Sequence, residues 1–205
     1  MPTLITAGDA SAGLVQTASN DGALTLQTGP AGSKVNAIAL ASDGTMTLNK
    51  PMAGGSLTLA TAQNTISGAS IDFTGIPSWV KRITVGFQNV STSGTSAVVI
   101  QLGTSGGFQT SSYSSSSIYW NSQLNATNGL LVGGVGATDA RNGVVSIATM
   151  GSNIWNSQGA ISLGNNAFFA AGGVQLANTL DRVRITTVGG TDTFDAGSIN
   201  ILYEG

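Results

Sequence analysis

Hydrophobic and polar residues alternate along much of this chain, and residues 71–90, IDFTGIPSWVKRITVGFQNV, show the pattern best. Apolar residues occupy every second position in 71–74 and again in 82–88. Period two with β-branched and aromatic residues on one face predicts half-buried strands. Between them we expect a turn at residues 75–78, because Pro77 fixes its own φ and disfavours helix at the preceding residue.

Short segments of the same kind recur through the rest of the chain, separated by Gly, Ser and Asn. The further predicted strands are 97–102 (covered on both faces), 117–121, 143–148, 160–163, 167–170, 174–176, 182–188 and 198–203. No helical period extends over more than a turn or two. This spacing predicts an all-β fold, a jelly-roll-like antiparallel β-sandwich over residues 56–205, with long loops at 103–117 and 124–142.

Residues 1–55 differ from the rest because they contain no Phe, Trp or Tyr and carry a short repeat. NDGALTL at 20–26 recurs as SDGTMTL at 42–48, and alternating segments, 13–17 and 35–40, precede the two copies. Asp-Gly favours type I′ hairpin turns, so we expect an N-terminal β-hairpin arm ending at a linker over 50–55. Isolated hairpins are marginal in water, so the arm should lie on sister subunits or on another protein. A flexible tail is the alternative.

Composition narrows the function classes. Of 205 residues only 8% are charged, the net charge is −2, and there is neither His nor Cys. Scattered Lys and Arg offer no patch to neutralise phosphates, so no nucleic-acid partner is expected. The missing His and Cys remove the commonest general base and metal ligands, and we expect no enzyme, no cofactor and no metal. No apolar run reaches about 18 residues and no signal peptide is visible, so no membrane insertion is expected.

Three aromatic residues beside the Ser-rich segment 111–117 are candidates for glycan binding: Tyr113, Tyr119 and Trp120. Aromatic faces with neighbouring hydroxyls and amides suit stacking on sugar rings. The alternative, which the pattern favours, places Tyr119 and Trp120 in the core and leaves the serines in a solvated loop. Trp155 is also expected in the core.

The acidic residues offer little support for a metal site or for a catalytic carboxylate pair. Asp192 and Asp195 are three apart in a turn-like segment, whereas Ca²⁺ needs six to eight oxygens. The same pair, or Asp181 with Glu204, would serve glycoside hydrolysis only if both carboxylates faced one cleft. Solvated turns are the favoured interpretation.

Several motifs resemble those of a family of phage virion structural proteins of tail-fibre or capsid-decoration type. They are IDFTGIPSWVKRITV at 71–85, QNVSTSGTS at 88–96, IQLG at 100–103, DRVRIT at 181–186 and FDAGSINILYE at 194–204. The resemblance covers about 71–205. It implies a β-sandwich module displayed on a virion, commonly as a trimer.

The basic residues Lys81, Arg82, Arg182 and Arg184 would share one face if segments 82–88 and 182–188 paired. The favoured interpretation is edge charge that discourages aggregation. The alternative is contact with an acidic capsid surface.

We therefore expect a non-enzymatic bacteriophage virion-surface structural protein, a capsid decoration protein or a short fibre, made in the cytoplasm of the host bacterium. Residues 1–55 would bind capsid or tail proteins and intertwine with sister subunits in a homotrimer. The main alternative is a receptor-binding tail-fibre tip that recognises host-surface glycan through loops 103–117 and 124–142. A polysaccharide-degrading spike is a third hypothesis.

Overall fold

The computed structural model describes residues 24–28, 35–48, 57–137 and 139–205. The chain divides into two compact units, Met1–Met52 and Ala53–Gly205. Within the described ranges every regular element is a strand. No helix there is long and apolar enough to cross a membrane.

The first unit contains a three-stranded antiparallel sheet in the order β1-β2-β3. Its strands are β1 (Leu24–Thr28), β2 (Val35–Leu40) and β3 (Met46–Leu48). The hairpin predicted at the second Asp-Gly is present, with Leu40 opposite Met46. The first predicted hairpin rests on residues 13–22, which lie outside the described residues. β1, which contains the last three residues of the first repeat, pairs with β2, so the strands of the two repeats share one sheet.

The turn between β2 and β3 differs from the predicted type. The Gly44 N–H donates to the Ala41 carbonyl at 3.0 Å and the Ala41 N–H to the Thr45 carbonyl at 2.9 Å. Only Gly44 has a positive φ, +85°, so a type I turn followed by a left-handed glycine replaces the expected type I′ turn. The Thr45 N–H donates to Asp43 Oδ1 at 2.8 Å, and this hydrogen bond lowers the pKa of Asp43.

The second unit consists of two antiparallel sheets, so the predicted all-β fold is confirmed. Its strands are β4 (Leu57–Leu59), β5 (Gln63–Asn64), β6 (Ser70–Thr74), β7 (Arg82–Thr92), β8 (Val98–Thr104), β9 (Gly107–Phe108), β10 (Ser114–Tyr119), β11 (Ser122–Ala126), β12 (Leu130–Leu131), β13 (Arg141–Gly151), β14 (Ile154–Leu163), β15 (Asn166–Gln175), β16 (Arg182–Thr187) and β17 (Phe194–Glu204). The large sheet has the order β11-β10-β15-β14-β13-β7-β17-β4, with β5 beside β17. The small sheet has the order β12-β8-β16-β6, with β9 beside β8.

One hydrophobic core joins the two sheets in a sandwich-like arrangement. The large sheet contributes Val85 and Ile201, and the small sheet contributes Ile100 and Ile185, all at most 1% exposed. A second cluster covers the other side of β8 through Val99. The prediction that 97–102 is covered on both faces is therefore confirmed.

Two strand pairs extend the large sheet beyond β13. Eight strands form the two facing parts of the sandwich, and their order is clearest when they are renumbered along the chain. With β4, β6, β7, β8, β12, β13, β16 and β17 numbered one to eight, the strand order is 1-8-3-6 in the large sheet and 2-7-4-5 in the small sheet. The hairpin β14–β15 and then β10–β11 continue the large sheet outward from β13. This extension creates a broad outer face, on which the candidate site lies.

The predicted turn at 75–78 carries the chain from the small sheet to the large one. Gly75 has a φ of +74°, and the Ile76 N–H donates to the Asp181 carbonyl at 2.8 Å. Ile76 and Val80 are buried in the core. The turn thus crosses between the sheets with Ile76 anchored in the core, while Gly75 and Ser78 are exposed.

Candidate functional site

Tyr113 belongs to the core. It is 3% exposed; its hydroxyl accepts from the Leu102 N–H at 2.8 Å and donates to the Gln109 carbonyl at 3.1 Å. Burial raises the pKa of Tyr113 to about 12. Its ring offers no face to a ligand, so the sugar-stacking role expected of it is withdrawn. Trp155, 4% exposed, lies in the core as expected.

Tyr119 and Trp120 lie where β10 turns into β11, and only Trp120 is fully displayed. The Tyr119 ring is 5.0 Å from that of Phe168, and its hydroxyl donates to Asn166 Oδ1 at 2.6 Å. Trp120 is 86% exposed and has a φ of +52°. The favoured interpretation placed Trp120 in the core, and for this residue it is wrong. Tyr119 stabilises the turn that exposes Trp120.

Four residues in register across four strands form an apolar row on the outer face of the large sheet. Ile118 of β10 is opposite Phe169 of β15, Phe169 is opposite Ala160 of β14, and Ala160 is opposite Val144 of β13. Ile118 is 48% exposed, Phe169 60% and Val144 53%. The row lines an open groove of about 640 Å³, whose polar lining residues are Ser116, Ser146 and Gln158.

This outer face is electrically neutral over five strands. Along β10, β11, β13, β14 and β15 the single charged residue is Arg141, which is fully buried. Burial lowers the pKa of Arg141, and the charges of Asp139 and Asp195 partly offset that effect. The Arg141 Nη2 donates to the Gly136 carbonyl at 3.3 Å. Its charge is thus directed into the fold, and the groove outside contains only hydroxyls, amides and apolar side chains.

The small sheet carries its charges in pairs. Arg184 donates from Nε and Nη2 to the two carboxylate oxygens of Asp72 at 2.8 and 2.7 Å. Its guanidinium lies 4.1 Å from the centroid of the Phe108 ring. Arg182 donates from Nε to Asp181 Oδ1 at 2.7 Å. Each arginine of β16 therefore has a carboxylate partner.

The face that Lys81, Arg82, Arg182 and Arg184 would share if segments 82–88 and 182–188 paired does not form, because β7 and β16 lie in different sheets. Arg82 instead pairs with Glu204 of β17. The Arg82 guanidinium holds the pKa of Glu204 below its usual value. No basic patch arises from these four residues.

The remaining acidic candidates accept hydrogen bonds from neighbouring segments of the fold. Asp192 Oδ2 accepts from the Ser96 N–H at 2.8 Å, and Asp195 accepts from the Ser91 hydroxyl. Asp181 and Glu204 each face an arginine rather than a second carboxylate. Among the described residues no group of three or more acidic, His or Cys side chains could hold a metal ion.

The motif segments that resemble virion proteins contact one another. Asp72 of the first motif binds Arg184 of the fourth, Arg82 binds Glu204, and the Ile76 N–H donates to the Asp181 carbonyl. These segments form β6, the crossing, β7, β16 and β17, which lie in both sheets. The motifs therefore build the scaffold, and the groove and Trp120 lie outside them.

Comparison with family models, with curated proteins and with solved structures finds no match for this chain. The resemblance to phage virion proteins thus stays a prediction. The neutral groove, the displayed Trp120, the paired charges and the contacts between the motifs are the features of the described residues that bear on function.

Proposed function

We propose that this chain is a non-enzymatic structural protein of a bacteriophage virion surface, a capsid decoration protein or a short fibre. The observation that carries the proposal is that the virion-like motifs bind one another within each of the two sheets. The three arginines of these motifs pair with carboxylates of the same motifs, and the outer faces are left for contacts. The protein would act by buried area and shape, without bond chemistry.

The composition of the outer surface also supports this proposal. A neutral sheet face with an apolar row suits association through buried apolar area, since monomeric proteins rarely expose large contiguous apolar patches. In this proposal residues 1–55 attach the protein to capsid or tail proteins and help to hold a homotrimer.

Purified virions test the proposal. The chain should co-sediment with particles through a density gradient, in a constant ratio to the major capsid protein by quantitative mass spectrometry. A chain lacking residues 1–30 should lose particle binding while the full chain retains it. Recovery of the chain only from the particle-free fraction of the lysate would refute the proposal.

A receptor-binding fibre tip is the second candidate, and the exposure of Trp120 favours it. Trp120 is 86% exposed on a turn braced by Tyr119 and Asn166, and such a ring can stack on a sugar. Replacing Trp120 by Ala should then abolish attachment to host cells. Ile66→Ala, at another exposed apolar position (67%), should leave attachment unchanged. If both variants attach like the wild type, this candidate fails.

A polysaccharide-degrading spike has less support. Glycoside hydrolysis needs two carboxylates facing one cleft, whereas Asp72, Asp181 and Glu204 face arginines. Release of reducing sugar when the purified chain is incubated with host polysaccharide would support the hypothesis of a polysaccharide-degrading spike.

A further inference from the structure

We infer that the neutral outer face of the large sheet is a contact surface between copies of this chain. The inference rests on the proposed function for its self-association and names the surface that supplies it. Its starting point is the row of Ile118, Phe169, Ala160 and Val144, whose members are neighbours by strand register. Side chains directly opposite on one face interact with each other and with whatever covers that face.

The face is large enough for a specific contact. Strands lie about 4.8 Å apart and every second residue points outward, about 6.8 Å from the next. Five strands and three or four outward rows therefore give roughly 400–500 Å² in plan. A standard interface buries about 800 Å² on each partner, and adjoining loops such as the Trp120 turn can supply the difference.

The absence of charge on this face favours a second copy of the chain over a charged partner. A charged partner would lose hydration against this face and gain no opposite charge in return. A second copy can present the same neutral face, so that apolar rows meet and no like charges are brought together. The ion pairs Asp72–Arg184 and Asp181–Arg182 belong to the small sheet and would stay in water.

Small residues beside the row allow close approach. Ala160 and Ala171 are exposed members of the groove lining, and Gly86 continues the row opposite Val144. Such positions let two sheets approach with few side chains to immobilise, which reduces the entropic cost of association.

The lack of any cysteine in the chain makes a direct test possible. Ala160→Cys places a unique thiol in the middle of the row, and Ile66→Cys places one at an exposed loop position of the same unit. The measurements are maleimide labelling rate and mass by light scattering, on the full chain over a dilution series. Above the association threshold, labelling of the Ala160→Cys thiol should be about ten-fold slower than that of the Ile66→Cys thiol, because interface cores exclude water.

Dilution should remove that protection as the mass falls to the 20.4 kDa of one chain. Val144→Lys should shift the equilibrium toward the monomer. Val188→Lys, at an exposed valine next to the small sheet, should not.

Four results would overturn the inference. The first is a monomeric mass at every concentration, and the second is an Ala160→Cys thiol that reacts as fast as the Ile66→Cys thiol in an oligomer. The third is protection of the Ala160→Cys thiol in the monomer, which would mean that the chain covers its own face. The fourth is protection of that thiol only by added neutral oligosaccharide, without a change in mass. Absence of the chain from virions would refute the proposed location and leave these measurements unaffected.

Discussion

Arg184 of β16 donates to both carboxylate oxygens of Asp72 of β6, at 2.8 and 2.7 Å, while its guanidinium lies over the Phe108 ring. One side chain thereby joins three segments of the small sheet. A planar guanidinium suits both contacts, whereas a lysine could not make the bidentate one.

Asp72→Asn should destabilise the fold by about 1 kcal/mol, because the two charge-assisted hydrogen bonds are lost at a partly exposed site. Chemical denaturation would show a lower midpoint with an unchanged slope. Glu204→Gln is the matched control, since it removes a pair whose arginine is 56% exposed, and its effect should be smaller. Equal effects would contradict the structural importance given to Asp72.

Tyr113 should make stability fall in alkali. Its pKa is raised to about 12 in the fold, against about 10 in the unfolded chain. Between pH 10 and 12 the unfolded tyrosine loses its proton while the folded one keeps it, so the free energy of unfolding falls by up to about 3 kcal/mol.

Unfolding free energies measured at intervals from pH 8 to 12 would check this prediction. Tyr113→Phe should be less stable at neutral pH, because the Leu102 N–H loses its acceptor, and should lack this part of the alkaline loss. Parallel curves for the two proteins would show that Tyr113 titrates normally.

Gly197 should tolerate no side chain. Its φ is +92°, and a Cβ there would lie 2.4 Å from the Asn89 carbonyl oxygen, at an irregularity where β17 pairs with β7. Gly190 also has a positive φ, +68°, but a Cβ there would meet nothing within 4 Å. Gly197→Ala should therefore cost at least about 2 kcal/mol more than Gly190→Ala in thermal or chemical unfolding. Similar losses would mean that only backbone conformation matters.

Truncation of the exposed Trp120 and of the buried Trp155 should change the free energy of unfolding by very different amounts. Trp120→Ala should change stability by less than about 0.5 kcal/mol, because the ring contacts mostly water. Trp155→Ala should cost about 3–5 kcal/mol, because it leaves a cavity in the core. Unfolding curves for both variants test this, and a large loss from Trp120→Ala would show that its ring packs against something.

Alternation in the sequence was sufficient to predict the central strands. Segments 71–74, 82–88 and 198–203 fall within strands of the sandwich, and segment 182–188 extends one residue beyond β16, since one face of each is buried. The finer prediction of a jelly roll was made from the spacing of the strands and stays a prediction. Pairing between distant strands is decided by tertiary packing, which is why the sequence left open whether the segments of β7 and β16 pair, and the two strands lie in different sheets.

The Ser-rich region was mispredicted for a physical reason. Segment 117–121 comprises the end of β10 and the turn that follows it, and parts of β8, β9 and β10 occupy residues 103–104, 107–108 and 114–117 of the predicted loop 103–117. Serine has little preference for strands, but Ser115 is buried and satisfied, because its hydroxyl accepts from the Leu131 N–H at 2.8 Å and donates to the Ala171 carbonyl at 3.3 Å. The neighbouring alanines and glycines of β15 leave room for it. The outer apolar row was missed because it exists only once β10, β13, β14 and β15 are in register.

Immunogold electron microscopy of intact virions, with antibody raised against the full chain, tests the proposed virion-surface function most directly. The proposal predicts regular label on the particle, spread over the head for a decoration protein or confined to the tail or its tip for a fibre. If the chain is made in the infected cell but virions from that cell show no label above that of pre-immune serum, the proposal is contradicted.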